Sequence, residues 1–98
     1  MVNNHVTLAN IHDDVLDWTN QLLAERGLAP AYSIEPVCER AWSLVCRVKH
    51  PAGTWYFKHL PEYFAHEIRL TEYLATIDPN HVAGFISKDE TRSYLMVN

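Results

Sequence analysis

Residues 55–74, WYFKHLPEYFAHEIRLTEYL, run through two hydrophobic periods in immediate succession. Alternation governs the first part, placing Thr54, Tyr56, Lys58 and Leu60 on one face of a strand and Trp55, Phe57 and His59 on the other. Helical spacing governs the second. At about 100° per residue, Tyr63, Phe64, Glu67, Ile68, Leu70, Leu74 and Ile77 fall within one broad arc. Each half carries a single charge among its apolar positions, Lys58 in the strand and Glu67 inside the helical arc. Burying either charge unpaired is expensive, so a strand packed against this helix gains by letting the two meet. Such a pair holds an ammonium at a fixed place in a cleft, where it can meet phosphate oxygens. Taken singly, each charge also fits a solvated position, the lysine snorkelling and the glutamate facing water.

The flanking sequence supplies the rest of a sheet. Residues 1–12 have weak periodicity and read as an arm. Asp13 and Asp14 then introduce a helix over residues 13–26, with Val15, Trp18, Leu22 and Leu23 as its apolar stripe and Gly27 placed for a left-handed C-cap. This helix is expected to pack across the back of the sheet. Residues 33–60 read as three antiparallel strands, rich in Ile34, Val37, Val45 and Val48, with Pro36 restricting the first to an edge or a bulged course. His50, Pro51, Ala52 and Gly53 form the turn into the strand bearing Lys58. Pro61 ends that strand, a helix follows over residues 62–77, and Asp78, Pro79 and Asn80 stop it. Two further strands over residues 84–98 are joined by a polar turn around Asp89, Glu90, Thr91 and Arg92. The expected class is α+β, a five-stranded antiparallel sheet with an N-terminal helix and a helix between strands 3 and 4, in a single domain over residues 1–98.

Composition narrows the function classes. A net charge of −4 with scattered basic residues gives no electrostatic footprint for nucleic acid. No stretch approaches the length of a membrane span, and MVNNHVTLAN lacks the pattern of a signal peptide. Cys38 and Cys46 are too far apart for a C-x-x-C motif and fall in strands, which suits buried free thiols in a reducing compartment. A soluble, cytoplasmic protein is the expectation. The six histidines show no ligand spacing, so surface or partly buried roles are expected of them.

RAWSLVCRVKHPAGTWYFKHL, then HEIRLTEYL, then DPNHVAGFISKDETRSYLMVN together resemble the N-terminal lobe of the aminoglycoside phosphotransferase and choline kinase group, relatives of protein kinases. The resemblance runs from about residue 13 to the end. It implies a kinase-like small lobe in which Lys58 contacts nucleotide phosphates and Glu67 orients it. It also implies that SYLMVN leads into a hinge whose backbone holds the base, which puts Met96, Val97 and Asn98 beside it. ATP or GTP with Mg2+ would be the cofactor, and the acceptor a hydroxyl of a small molecule. In this family the metal ligands and the acceptor-activating residue belong to a C-terminal lobe. Nothing resembling its H-x-D loop occurs here, so the chain is read as truncated at the hinge, inactive alone and prone to self-association through exposed apolar surface.

Two positions depart from the protein-kinase pattern. No G-x-G-x-x-G precedes Lys58; the hairpin tip reads Glu39, Arg40, Ala41, Trp42, Ser43, where Ser43 serves either as a turn former or as a hydroxyl or N–H donor to a phosphate. Tyr56 stands where protein kinases favour a small residue against the adenine, and either narrows the pocket or turns its ring along the sheet. The alternative function is a noncatalytic interaction module that keeps the fold and binds a partner on the uncovered sheet face.

Overall fold

A computed structural model describes residues 7–40, 43–77 and 84–98. The elements in chain order are α1 (Leu8–Glu25), β1 (Ser33–Arg40), β2 (Ser43–His50), β3 (Gly53–His59), α2 (Phe64–Ile77), β4 (Phe85–Asp89) and β5 (Tyr94–Val97). The strands form one antiparallel sheet in the order β1-β2-β3-β5-β4, as the α+β expectation requires. Residues 1–6, the hairpin-tip residues Ala41 and Trp42, and the helix stop expected at 78–80 lie outside the described residues.

The first helix corrects the expected boundary. Instead of an arm to residue 12, helix begins at Leu8, and Ile11 interrupts it with φ −125° and ψ 15°. Asp13 and Asp14 therefore lie just past this kink, where a new first turn favours acidic side chains. The weak periodicity before Asp13 reflects this break, since the two segments do not share one continuous stripe. At the other end Gly27 takes φ +68°, its N–H donates to Ala24 O at 3.0 Å, and the Leu28 N–H donates to Leu23 O at 2.9 Å. That is a Schellman closure, which a residue without Cβ adopts at no steric cost.

The strands meet in a register that sorts side chains cleanly. Cys46, Phe57 and Met96 form one cross-strand row, and Leu44, His59 and Tyr94 another. Both rows face α1, which fills that side with Val15, Trp18, Leu22 and Leu23. Trp18, Phe57 and Tyr94 pack edge to face or tilted, with centroids 4.8–6.0 Å apart, in the geometry that aromatic quadrupoles favour. β1 is an edge strand whose register shifts between Pro36 and Cys38, so the proline sits beside a bulge and Val37 is pushed outward to 49% exposure. Cys38 and Cys46 are both free and lie on opposite faces of the sheet, which rules out a bond between them. Burial pushes the Cys46 thiol up to about 12, leaving it inert.

α2 covers the other face only partly, and it starts at Phe64 rather than residue 62. Of its apolar arc, Ile68 is buried against Leu95 and Val97, with Phe64 and Tyr56 packed at the margin. Tyr63, Leu70, Leu74 and Ile77, expected to face the core, are 54%, 42%, 38% and 60% exposed. Leu95 and Val97 offer too short an apolar surface to receive a helix of 14 residues along its whole length.

Candidate functional site

The face beneath α2 is built from alternate residues of the same strands that build the core. Val45, Lys58 and Leu95 make one cross-strand row, and Arg47, Tyr56 and Val97 make the next. Because the side-chain period of a strand is two, their neighbours along the strands point to the α1 side, all but Asn98 after Val97 being buried or partly buried there. Phe57 and His59 anchor the backbone on either side of Lys58, so its Cα is fixed by packing it does not share.

Lys58 Nζ donates to Glu67 Oε1 at 2.8 Å. The two side chains retain 28% and 26% of their exposure, so the pair is half-buried and reachable from one side. Glu67 is carried by the first turns of α2, whose start is set by two backbone bonds: the Tyr63 N–H donates to Leu60 O at 3.2 Å and the Glu67 N–H to Tyr63 O at 2.9 Å. Strand, turn and helix thereby fix both ends of the contact. An ammonium held by one carboxylate oxygen keeps two N–H bonds for another acceptor.

The next row contains a second ion pair that sequence reading missed. Arg47 Nη1 donates to Glu35 Oε1 at 2.9 Å across the β1–β2 pair. Glu35 holds the guanidinium charged, with the Tyr56 hydroxyl adding to the effect, and Arg47 in turn holds the Glu35 carboxyl below its ordinary range. The signal was present: once the turn over 50–53 fixes the β2–β3 register, Arg47 must lie opposite Tyr56, one pleat from Lys58. Tyr56 is half-buried and packs against the Ile68, Leu95 and Val97 cluster.

The other expected contacts fall in different places. Ser43 begins β2 opposite Arg40, on the Lys58 face and half-buried. Val97 also shares that face. Met96 is fully buried in the α1 core, so its side chain is turned away from Lys58. Asn98 is occupied by Gly84: its N–H donates to Gly84 O at 2.9 Å and its Oδ1 accepts the Gly84 N–H at 2.6 Å. Lys58, Glu67, Ser43 and Val97 are thus brought to one face, while Met96 and Asn98 are not. Among the described residues, no group of three or more His, Cys, Asp or Glu side chains stands in position to hold a metal ion.

An open groove of about 490 Å³ between α2 and β4 includes neither Lys58 nor Glu67. Its lining charges, Arg69, Glu72, Lys88 and Glu90, balance, and Lys88 is tied to Glu90 at 3.0 Å. The Lys58 pair lies outside this groove, with its ammonium held half-buried by one carboxylate oxygen. No family model, curated protein or solved structure matches the chain. No helix among the described residues is long and apolar enough to cross a membrane.

Proposed function

We propose that this chain is the small, nucleotide-binding lobe of an ATP- or GTP-dependent small-molecule phosphotransferase of the aminoglycoside phosphotransferase type, incomplete without a C-terminal catalytic lobe. The observation that carries this reading is the 2.8 Å contact between Lys58 and Glu67, a strand ammonium held by a helix carboxylate on a partly open sheet face. Lys58 would donate to phosphate oxygens of the nucleotide, and Glu67 would keep the ammonium from swinging into solvent. Ser43 would add a hydroxyl or N–H nearby. Val97, one row along, would border the base, and the other two hinge residues would act through whatever backbone groups Gly84 and the β-ladders leave free. Mg2+ bound with the nucleotide supplies charge neutralisation during phosphoryl transfer, and its ligands and the activation of the acceptor hydroxyl would fall to the C-terminal lobe.

Titration of the 98-residue chain with Mg-ATP and Mg-GTP, followed by two-dimensional NMR, tests the reading. Weak binding is expected, with shifts concentrated at Lys58, Glu67, Ser43 and Val97. Lys58→Met is expected to abolish those shifts while leaving the thermal midpoint nearly unchanged. A wild-type spectrum indifferent to both nucleotides at millimolar concentration would rule the reading out.

One observation favours a second reading, a noncatalytic interaction module. Leu70, Tyr73, Leu74 and Ile77 form an exposed i, i+3, i+4, i+7 stripe on α2. Such a stripe suits a partner as well as it suits a missing lobe.

A further inference from the structure

The distribution of cations on the Lys58 face goes further than one lysine. The chain has eight Lys and Arg residues in all and a net charge of −4, yet Arg40, Arg47, Lys49 and Lys58 all lie on this face of β1, β2 and β3. Two of them are neutralised there, Arg47 by Glu35 and Lys58 by Glu67. The two directions along the strands differ in where a carboxylate accompanies the cations. Toward the β2–β3 turn the Glu35 carboxylate accompanies Arg47, with Lys49 one pleat beyond, and Tyr56 packs against the α2 cluster. Toward the β1–β2 tip, the row beyond Lys58 holds Arg40 and Ser43. The carboxylate of that end, Glu39, pairs with Leu44 on the opposite face, where it approaches the Leu8 N–H at 3.5 Å. An anionic chain leaving Lys58 therefore meets the Glu35 carboxylate in one direction and the row of Arg40 and Ser43 in the other.

We infer that Arg40 is a second phosphate-binding residue, a side-chain cation standing where other nucleotide-binding hairpins use glycine-rich backbone. The inference rests on the nucleotide reading of Lys58. Its geometry follows from the register: Arg40 lies two strands across from Lys58 and one pleat beyond, so their Cα atoms are roughly 12 Å apart by ordinary strand spacings. Two long side chains with a phosphate group between them close that gap, and Ser43 lies on the strand between. Arg40 is exposed, and its Nε donates to Cys38 Sγ at 3.1 Å, a contact that aims the guanidinium along this face while leaving both Nη groups to donate. A planar guanidinium can bind phosphate through bidentate contacts.

The test compares the wild-type chain with Arg40→Met and Lys49→Met, which remove the same charge from opposite ends of one face, using ATP, AMP and inorganic tripolyphosphate as probes in NMR titrations. Arg40→Met is expected to weaken ATP and tripolyphosphate about tenfold, the scale of one charge-assisted hydrogen bond, and to leave AMP unchanged. Lys49→Met is expected to change all three by less than about twofold, as a screened surface charge does. The Arg40 Nε–H resonance is expected to move with tripolyphosphate and with ATP, and to stay in place with AMP. Wild-type binding of ATP with equal binding by Arg40→Met would overturn this assignment and leave the Lys58 reading standing. Equal losses in Arg40→Met and Lys49→Met would reduce the effect to net charge and overturn it also. A wild-type chain that binds neither ATP nor tripolyphosphate removes both readings together.

Discussion

The two faces of the sheet are made by the same strands and do opposite things. Facing α1, twelve buried residues form one cluster, from Leu8 through Trp18 and Phe57 to Met96, with aromatic rings interlocked at its centre. Facing α2, the buried cluster is Ile68, Leu95 and Val97, and the remaining area carries ion pairs. Burial of apolar area stabilises a fold at about 25 cal/mol per Å², so nearly all the stability of this domain comes from the first face. The second face is thereby free to hold charge. Period-two alternation makes this division possible within single strands: Phe57 belongs to one function and Lys58 to the other, though they are adjacent in the chain.

The largest expected effect tests that division directly. Phe57 is fully buried, and Phe57→Ala removes a ring from the aromatic cluster, with an expected loss of about 3–5 kcal/mol in urea denaturation. Lys58→Met is expected to change stability by less than about 1 kcal/mol, because it removes a half-exposed ion pair and leaves an apolar side chain beside Val45 and Leu95. If Lys58→Met proved as destabilising as Phe57→Ala, the α2 face would be structural and the comparison would fail.

A smaller effect comes from the clamp that joins the two ends of the chain. Arg92 donates twice to Asp14 at 2.8 Å and to Asp89 Oδ2 at 2.7 Å, its guanidinium lies 4.9 Å from the Tyr94 ring, and the Tyr94 hydroxyl donates to Asp14 Oδ2 at 2.7 Å. Arg92→Leu is expected to lower stability by about 1 kcal/mol, since the pairs are multidentate but partly screened. Tyr94, then Arg92, holds the Asp14 carboxyl below its ordinary range, and Arg92 does the same for Asp89. These depressed carboxylates contribute stability that is complete above the ordinary carboxylate range and is lost as pH falls through their lower folded values. His59 acts in the same direction at higher pH: burial lowers its basicity, its Nδ1 is buried without a partner, and the unfolded chain takes up the proton first as pH drops below about 6.5. Thermal midpoints measured from pH 7.5 to 3 are expected to fall in two stages, with the lower stage much reduced in Arg92→Leu. A single stage unaffected by that substitution would mean the clamp does not form in solution.

Legibility in the sequence followed this same partition. The α1 face was readable because local patterns determine it: Val15, Trp18, Leu22 and Leu23 repeat at helical spacing, Gly27 caps, and Pro36 marks a bulged edge. Lys58 and Glu67 were readable as a pair because each interrupts an apolar pattern whose geometry brings them to the same side. Arg47 with Glu35, and Arg92 with Asp14, were not read, since such pairs depend on registers and on contacts between residues 12 and 78 positions apart. The start of α1 was missed because Ile11 breaks the helical phase, and a periodicity scan sees the break rather than the helix before it. The arc of α2 was overread: periodicity reports which residues share a face, while the extent of that face's burial depends on what lies opposite.

That overreading gives the subtlest test of the comparison. Leu70, Tyr73 and Leu74 protrude from α2, so their replacement should have almost no effect on the fold even though their spacing is that of a buried stripe. Leu74→Glu is expected to shift stability by less than about 0.5 kcal/mol, the ordinary scale for surface positions. Its effect should appear instead in association: sedimentation at rising concentration is expected to show less self-association than for the wild type, because a charge interrupts the apolar patch. A loss of stability comparable to that of Phe57→Ala would mean that this part of α2 packs in solution on something within the chain. The α2 face would then belong with the core, and the Lys58 pair would be far more enclosed than its 28% exposure indicates.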